Sequence, residues 1–238
     1  MIVQIYEIQT PSEAETMIEL GVDHIGSVIL SQESWKNAEI RDVVKLVAQT
    51  DSRASLIPLF SLPDAVFRVL DYYQPHIVHF CEDLSDQRLV KTLMQLHENV
   101  RKRFPEIRIM RSIPIARTGS ADPVLMLELA RIFEPVSDYF LTDTVLEEQP
   151  VTGFVGITGQ TCDWDAAKKL VESSRIPVIL AGGLSPDNVS DAMKHVRPAG
   201  VDSCTGTNDS DEEGHPIRFK KDSEKVRRFV EAVRMPEL

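Results

Sequence analysis

Residues Pro177–Asn208, PVILAGGLSPDNVSDAMKHVRPAGVDSCTGTN, decide how the rest of the chain is read. They parse as a short apolar strand, the pair Gly182-Gly183, a capped helix, a second short strand and the turn Thr205-Gly206. Two strands that each end in a glycine-bearing turn set backbone N–H groups side by side. A helix N-terminus beside them adds positive dipole, and the combination suits a phosphate.

Outward from this corner the same rhythm repeats. Strands are predicted over Ile2–Tyr6, His24–Leu30, Ala54–Phe60, Ile77–Cys81, Ile107–Ile113 and Tyr139–Thr142. Helices fall between them. Thr10-Pro-Ser-Glu opens the first with a cap residue and a first-turn proline, and Ala38–Ala48 puts Ile40, Val43, Val44 and Val47 on one face. Further helices start at Leu62-Pro-Asp, Ser85, Asp122-Pro123 and Asp163, and a last one runs from Asp222 to Val233 after an acidic loop, Asp209–Glu213. Asp143–Gln160 is a long loop with Gly153, Gly156 and Gly159, of the kind that covers binding sites. Eight strand-then-helix units with no break predict an α/β fold, a (β/α)8 TIM barrel forming a single domain over residues 1–238. An open doubly wound sheet is the alternative, but no Gly-x-Gly-x-x-Gly turn follows the first strand.

Composition narrows the partners. A formal net charge of −11 argues against nucleic acid, which needs clustered cations, and the run Arg101-Lys102-Arg103 reads as the basic end of a helix. Three cysteines, Cys81, Cys162 and Cys204, form no even framework and no metal-type spacing, which fits a reducing cytoplasm and predicts no metal. No apolar run of about 18 residues and no export signal is visible, so no membrane partner is expected. No cofactor motif stands out, and the oligomeric state is left open.

In a barrel the active site lies at the C-terminal strand ends. Position alone therefore nominates Tyr6, Glu7, Cys81, Glu82, Arg111, Asp143, Gly182, Gly183, Cys204, Thr205 and Gly206. Three segments carry a family resemblance. AGGLSPDNVSDAMKHVRPAGVD resembles the seventh and eighth units of phosphoribosylanthranilate isomerases, with their Gly-Gly-Leu-x-Pro-x-Asn-Val segment. Gly156–Trp164, GITGQTCDW, is similar to their Gly-Gly-Thr-Gly-Lys-Thr-Phe-Asp-Trp, and Phe140-Leu-Thr-Asp143-Thr resembles their Leu-Leu-Asp-Ser/Thr strand end.

The resemblance implies a ribulose-phosphate-binding type of barrel and an aldose-to-ketose (Amadori) isomerisation in tryptophan biosynthesis, acting on a phosphorylated small molecule. By this resemblance Asp143 is the general acid that opens the furanose ring. Gly182, Gly183, Thr205 and Gly206 bind the phosphate, with Cys204 in the position of a family serine and Cys81 in that of a histidine. Arg111, if it points inward, would pair with a substrate carboxylate or phosphate. The family's basic cysteine, within Lys-Ile-Cys-Gly, is replaced in Gln4-Ile5-Tyr6-Glu7, which leaves Tyr6 and Glu7 as candidate bases and Cys81 and Cys204 as reserves. The family's carboxylate-binding arginine has only Lys36 as a counterpart in Ser31-Gln-Glu-Ser-Trp-Lys36. Two other readings stay open: a sugar-phosphate enzyme of other specificity, and a non-catalytic barrel that binds a phosphorylated ligand.

Overall fold

The computed structural model describes residues 1–117, 123–146, 151–156 and 158–235. Eight parallel strands close into a barrel in chain order: β1 (Ile2–Ile5), β2 (His24–Ile29), β3 (Arg53–Pro58), β4 (Ile77–Phe80), β5 (Arg108–Ala116), β6 (Tyr139–Val145), β7 (Val178–Leu180) and β8 (Gly200–Ser203). The helices that follow them are α1 (Pro11–Glu19), α2 (Ala38–Val47), α3 (Pro63–Tyr73), α4 (Gln87–Arg103), α5 (Pro123–Phe133), α6 (Trp164–Ser173), α7 (Val189–Val196) and α8 (Ser223–Arg234).

Short polar side chains start several of these helices. Thr10, Asn37, Asp163 and Asp222 each accept a hydrogen bond from a first-turn N–H and satisfy donors that the helix leaves unpaired. Strand alternation divides the side chains into two sets. Outward residues such as Val3, Ile25, Leu56, Phe80, Ile113, Phe140 and Val201 pack against the helix ring as the main core. A small apolar cluster of Tyr6, Ile77, Met110, Leu141, Ile179 and Ala181 fills part of the barrel interior.

Two features depart from expectation. The acidic loop after β8 is part of an antiparallel hairpin, β9 (Asn208–Ser210) with β10 (Pro216–Lys221). The acids mask its pattern, while an Asp209–Lys220 ion pair of 2.7 Å and a Lys225 Nζ bond to Asn208 O hold it. Strands β5 and β6 also run on together to Ala116 and Val145, so Asp143 sits within a paired strand opposite Pro114 rather than in the loop. The expected helix start at Asp122 lies outside the described residues. Among the described residues no helix is long and apolar enough to cross a membrane.

Candidate active site

The C-terminal strand ends surround a cavity, and one side of it is made of backbone. Gly182 and Gly183 follow β7 with φ of 97° and 59°, the left-handed region that other residues enter at a cost. A methyl group on Gly183 would lie 2.6 Å from the Gln160 carbonyl carbon and the Thr161 nitrogen, and one on Gly206 would collide with the Leu184 carbonyl oxygen. Asn188 fixes the turn that leads to α7, donating to Gly183 O at 3.0 Å and accepting from Ser185 N at 2.9 Å. Thr205 and Gly206 complete this corner of the cavity wall.

The glycine loop reaches across the mouth. Val155 N donates to Cys81 O at 2.8 Å and Asp83 N donates to Gly153 O at 2.9 Å, so residues 151–156 are tied to the chain just past β4. Gly156 rests against Asp143: a side chain there would begin 2.6 Å from a carboxylate oxygen.

Two aspartates face the cavity, each backed by a string of buried polar groups. Asp202 on β8 accepts from Gln4 Nε2 at 3.0 Å, and Gln4 Oε1 lies 3.0 Å from His24 Nδ1. Asp143 on β6 is 3.3 Å from Ser112 Oγ, which is 2.8 Å from His79 Nε2. His79 Nδ1 is 2.8 Å from the Tyr6 hydroxyl, itself 2.6 Å from Ser55 Oγ. Burial pushes both carboxyls up to about 7; the Ser112 bond restrains Asp143, and the Gln4 bond restrains Asp202, which Asp143 pushes further upward. Burial holds His79 neutral, its pKa lowered to about 3.

A neutral imidazole has one N–H, which couples the direction of every bond in the Asp143 string. With Asp143 ionised, Ser112 donates to it, His79 Nε2–H donates to Ser112, and Tyr6 donates to Nδ1. With Asp143 protonated all of these reverse, and Tyr6 donates to Ser55. From Asp143 to the Tyr6 hydroxyl the string therefore closes its bonds in either protonation state of the carboxyl, the Ser55 hydroxyl donating in one and accepting in the other.

The proposed base positions need correction. Burial raises the Tyr6 phenol well above its ordinary value, so it stays protonated and acts as a hydrogen-bonding member of the floor. Its ring fills the space that any side chain at Gly26 would need. Glu7 has φ of 66°, and its carboxylate is taken by Arg218 at 2.6 Å and Phe219 N at 3.2 Å, on the side of the hairpin. Regular strand geometry ends at this residue, and the ion pair removes its charge from proton transfer.

Arg111 points away from the cavity. It lies fully buried outside the barrel, where it donates to the Glu82 carboxylate and carbonyl and covers the Phe133 ring, so neither Arg111 nor its partner Glu82 is positioned for a ligand. Lys36 lies over the Trp35 and Tyr72 rings. Cys81 and Cys204 do line the cavity, but burial pushes both thiols up, Cys204 to about 12, which makes them neutral wall residues rather than bases. Sequence reasoning did not assign a site role to Asp202, His79, Ser112 or Gln4. Gln4 and His79 carried a signal as the lone polar residue of an otherwise apolar strand, whereas Ser112 and Asp202 stand beside other polar residues, Arg111 and Ser203.

This fold and mouth define a (β/α)8 barrel with paired carboxylates opposite a glycine-built corner. The profile of the N-(5'phosphoribosyl)anthranilate (PRA) isomerase family matches residues 82–232, and the chain belongs to that family. The N-(5'-phosphoribosyl)anthranilate isomerase of Methanosarcina acetivorans is 29% identical over 240 residues, which cover 98% of this chain and 92% of that one. Phosphoribosyl anthranilate isomerase from Thermotoga maritima superposes with a TM-score of 0.69 over 98% of both chains at 21% identity. A solved isomerase in complex with reduced 1-(o-carboxyphenylamino)-1-deoxyribulose 5-phosphate aligns with a TM-score of 0.67, at 20% identity and 98% coverage of each chain.

Proposed function

We propose that the chain catalyses the Amadori isomerisation of an N-(5′-phosphoribosyl) amine, an aldose derivative, to the 1-amino-1-deoxyribulose 5-phosphate. The observation that carries this reading is the pair of carboxylates, half-buried Asp143 and buried Asp202, in one cavity with the glycine corner. Family membership supplies the reaction class.

The phosphate is bound by the backbone of Gly182, Gly183, Thr205 and Gly206, which sets the sugar across the mouth. Protonated Asp143 gives its proton to the furanose ring oxygen, the C1′–O bond breaks, and the nitrogen lone pair forms the C1′=N bond. Ionised Asp202 then takes the C2′ proton; the released electron pair forms C1′=C2′ and the C=N pair returns to nitrogen. Asp202 returns its proton to C1′ as Asp143 accepts the proton of the 2′-hydroxyl, which leaves the ketose and restores both groups. The cycle needs one proton on the pair, and two carboxyls near 7 hold one proton around neutral pH. The ring of Tyr6 and the strings behind the aspartates hold the two carboxyls in place.

The test uses carbon NMR detection of the ketose carbonyl with N-(5′-phosphoribosyl)anthranilate and its aniline counterpart as substrates. Turnover of at least one, lost by 100-fold or more in Asp143→Asn and Asp202→Asn, is expected. Turnover of neither compound would overturn the isomerase reading, and undiminished turnover by Asp143→Asn would remove the acid.

A further inference from the structure

We infer that the amine half of the substrate carries no carboxylate: opposite its phosphate end the cavity is shaped for an uncharged, apolar aglycone. This rests on the isomerase reading and narrows its substrate class. Away from the glycine corner the walls are Val28, Ile57 and Leu59 from the ends of β2 and β3, with Val151, Phe154 and Val155 from the loop across the mouth. The ionisable groups among the described cavity residues are acids, thiols, one phenol and the neutral His79, and no lysine or arginine is among them.

Among the described residues the cations around the site are engaged elsewhere, and Lys36, in the loop after β2, lies over the Trp35 and Tyr72 rings and outside the cavity lining. Arg218 holds Glu7, Arg111 holds Glu82 outside the barrel, and Lys221 Nζ donates to Cys204 O and Asn208 Oδ1. Arg117, just after β5, is engaged as well. Residues 118–122, 147–150, 157 and 236–238 include no lysine or arginine.

A carboxylate brought into this space would lose its hydration against aliphatic walls and meet the like charge of Asp143 and Asp202 once either ionises. An unpaired buried charge is among the costliest features a complex can contain. An aromatic or aliphatic amine without the acid would bury the same area without that loss.

Two ligands decide the question by calorimetric titration of the intact chain at pH 8. One is reduced 1-(o-carboxyphenylamino)-1-deoxyribulose 5-phosphate, and the other is its phenylamino counterpart. The counterpart is expected to bind at least 10-fold more tightly, and Leu59→Arg, which installs a cation in the apolar wall, is expected to invert the order. Equal or tighter binding of the o-carboxy ligand by the unaltered chain would overturn the inference. The substrate assay separates this from the parent reading. Preference for the phenyl ligand with turnover of neither substrate upholds the aglycone assignment and overturns the isomerase. Faster turnover of the anthranilate compound does the reverse, and binding of neither ligand overturns both.

Discussion

The two sides of the barrel mouth are built on different principles. The corner after β7 and β8 is largely backbone: Gly183 and Gly206 sit where the main chain of neighbouring loops leaves no room for a Cβ, and at Gly182 the Thr144 hydroxyl fills that place. The side formed by β1, β4, β5 and β6 is a string of side chains, in which Tyr6, His79, Ser112 and Asp143 each fill a hydrogen-bonding valence of the next. A backbone site depends on glycine but is indifferent to most chemistry around it. A side-chain string can be rewritten residue by residue, provided each replacement keeps the bonds closed. One side is therefore fixed by main-chain geometry, while the other can change its side chains.

The sharpest break in this comparison is Gly206→Ala. Its added methyl meets the Leu184 carbonyl, so destabilisation of about 3 kcal/mol is expected, read as a fall of roughly 6–12 °C in a thermal melt. An unchanged melt would mean that the corner is as adaptable as the wall.

Asp143→Asn probes the opposite side through the pH dependence of stability. The folded carboxyl has its pKa raised from 3.8 to about 7, so its ionisation costs more in the fold than in the unfolded chain. Stability from this group is full below pH 4 and is lost as pH rises through 7. The asparagine variant should therefore gain on the parent by several degrees as pH rises from 4 to 7, with a constant gap above that. A gap independent of pH would show that the carboxyl is not desolvated.

Gly183→Ala should weaken binding of ribose 5-phosphate about 10-fold, because a left-handed backbone and a 2.6 Å contact both oppose the methyl group. Unchanged affinity would move the phosphate away from this corner. The smallest effect belongs to Ser112→Ala. The Ser112 bond lowers the Asp143 pKa, so its removal should carry the alkaline limb of the kcat/KM profile to higher pH by less than about one unit. A shift to lower pH would mean that Ser112 stabilises the protonated acid instead.

The contrast also governs what was legible in the sequence. The eight strand-then-helix units were legible as alternating apolar and capped segments, and they close in chain order. The glycines after β7 and β8 and Asp143, nominated by their turns and by a resemblance to a known strand end, all line one cavity. Arg111 was misread because nothing in Ile-Arg-Ile-Met-Arg-Ser says which of two faces an alternating strand turns inward; a buried partner, Glu82, decides it. Tyr6 drew attention as a residue in a cysteine's position, whereas its surroundings come from Gly26, Ser55 and His79 on three other segments. The β9–β10 hairpin escaped notice because its charged residues look like a solvated loop until Lys220 and Lys225 are seen to close it.

The interlock of Tyr6 with Gly26 makes the two positions answer for one another. The phenol ring occupies the volume that any β-carbon at position 26 would need, so a residue larger than glycine fits there only if position 6 becomes smaller. A small residue at position 6, in turn, leaves an empty space beside a bare strand and takes a hydrogen-bond partner from both Ser55 and His79. Neither position can be changed alone without a cost at the other, so the floor of this barrel varies in pairs rather than in single residues.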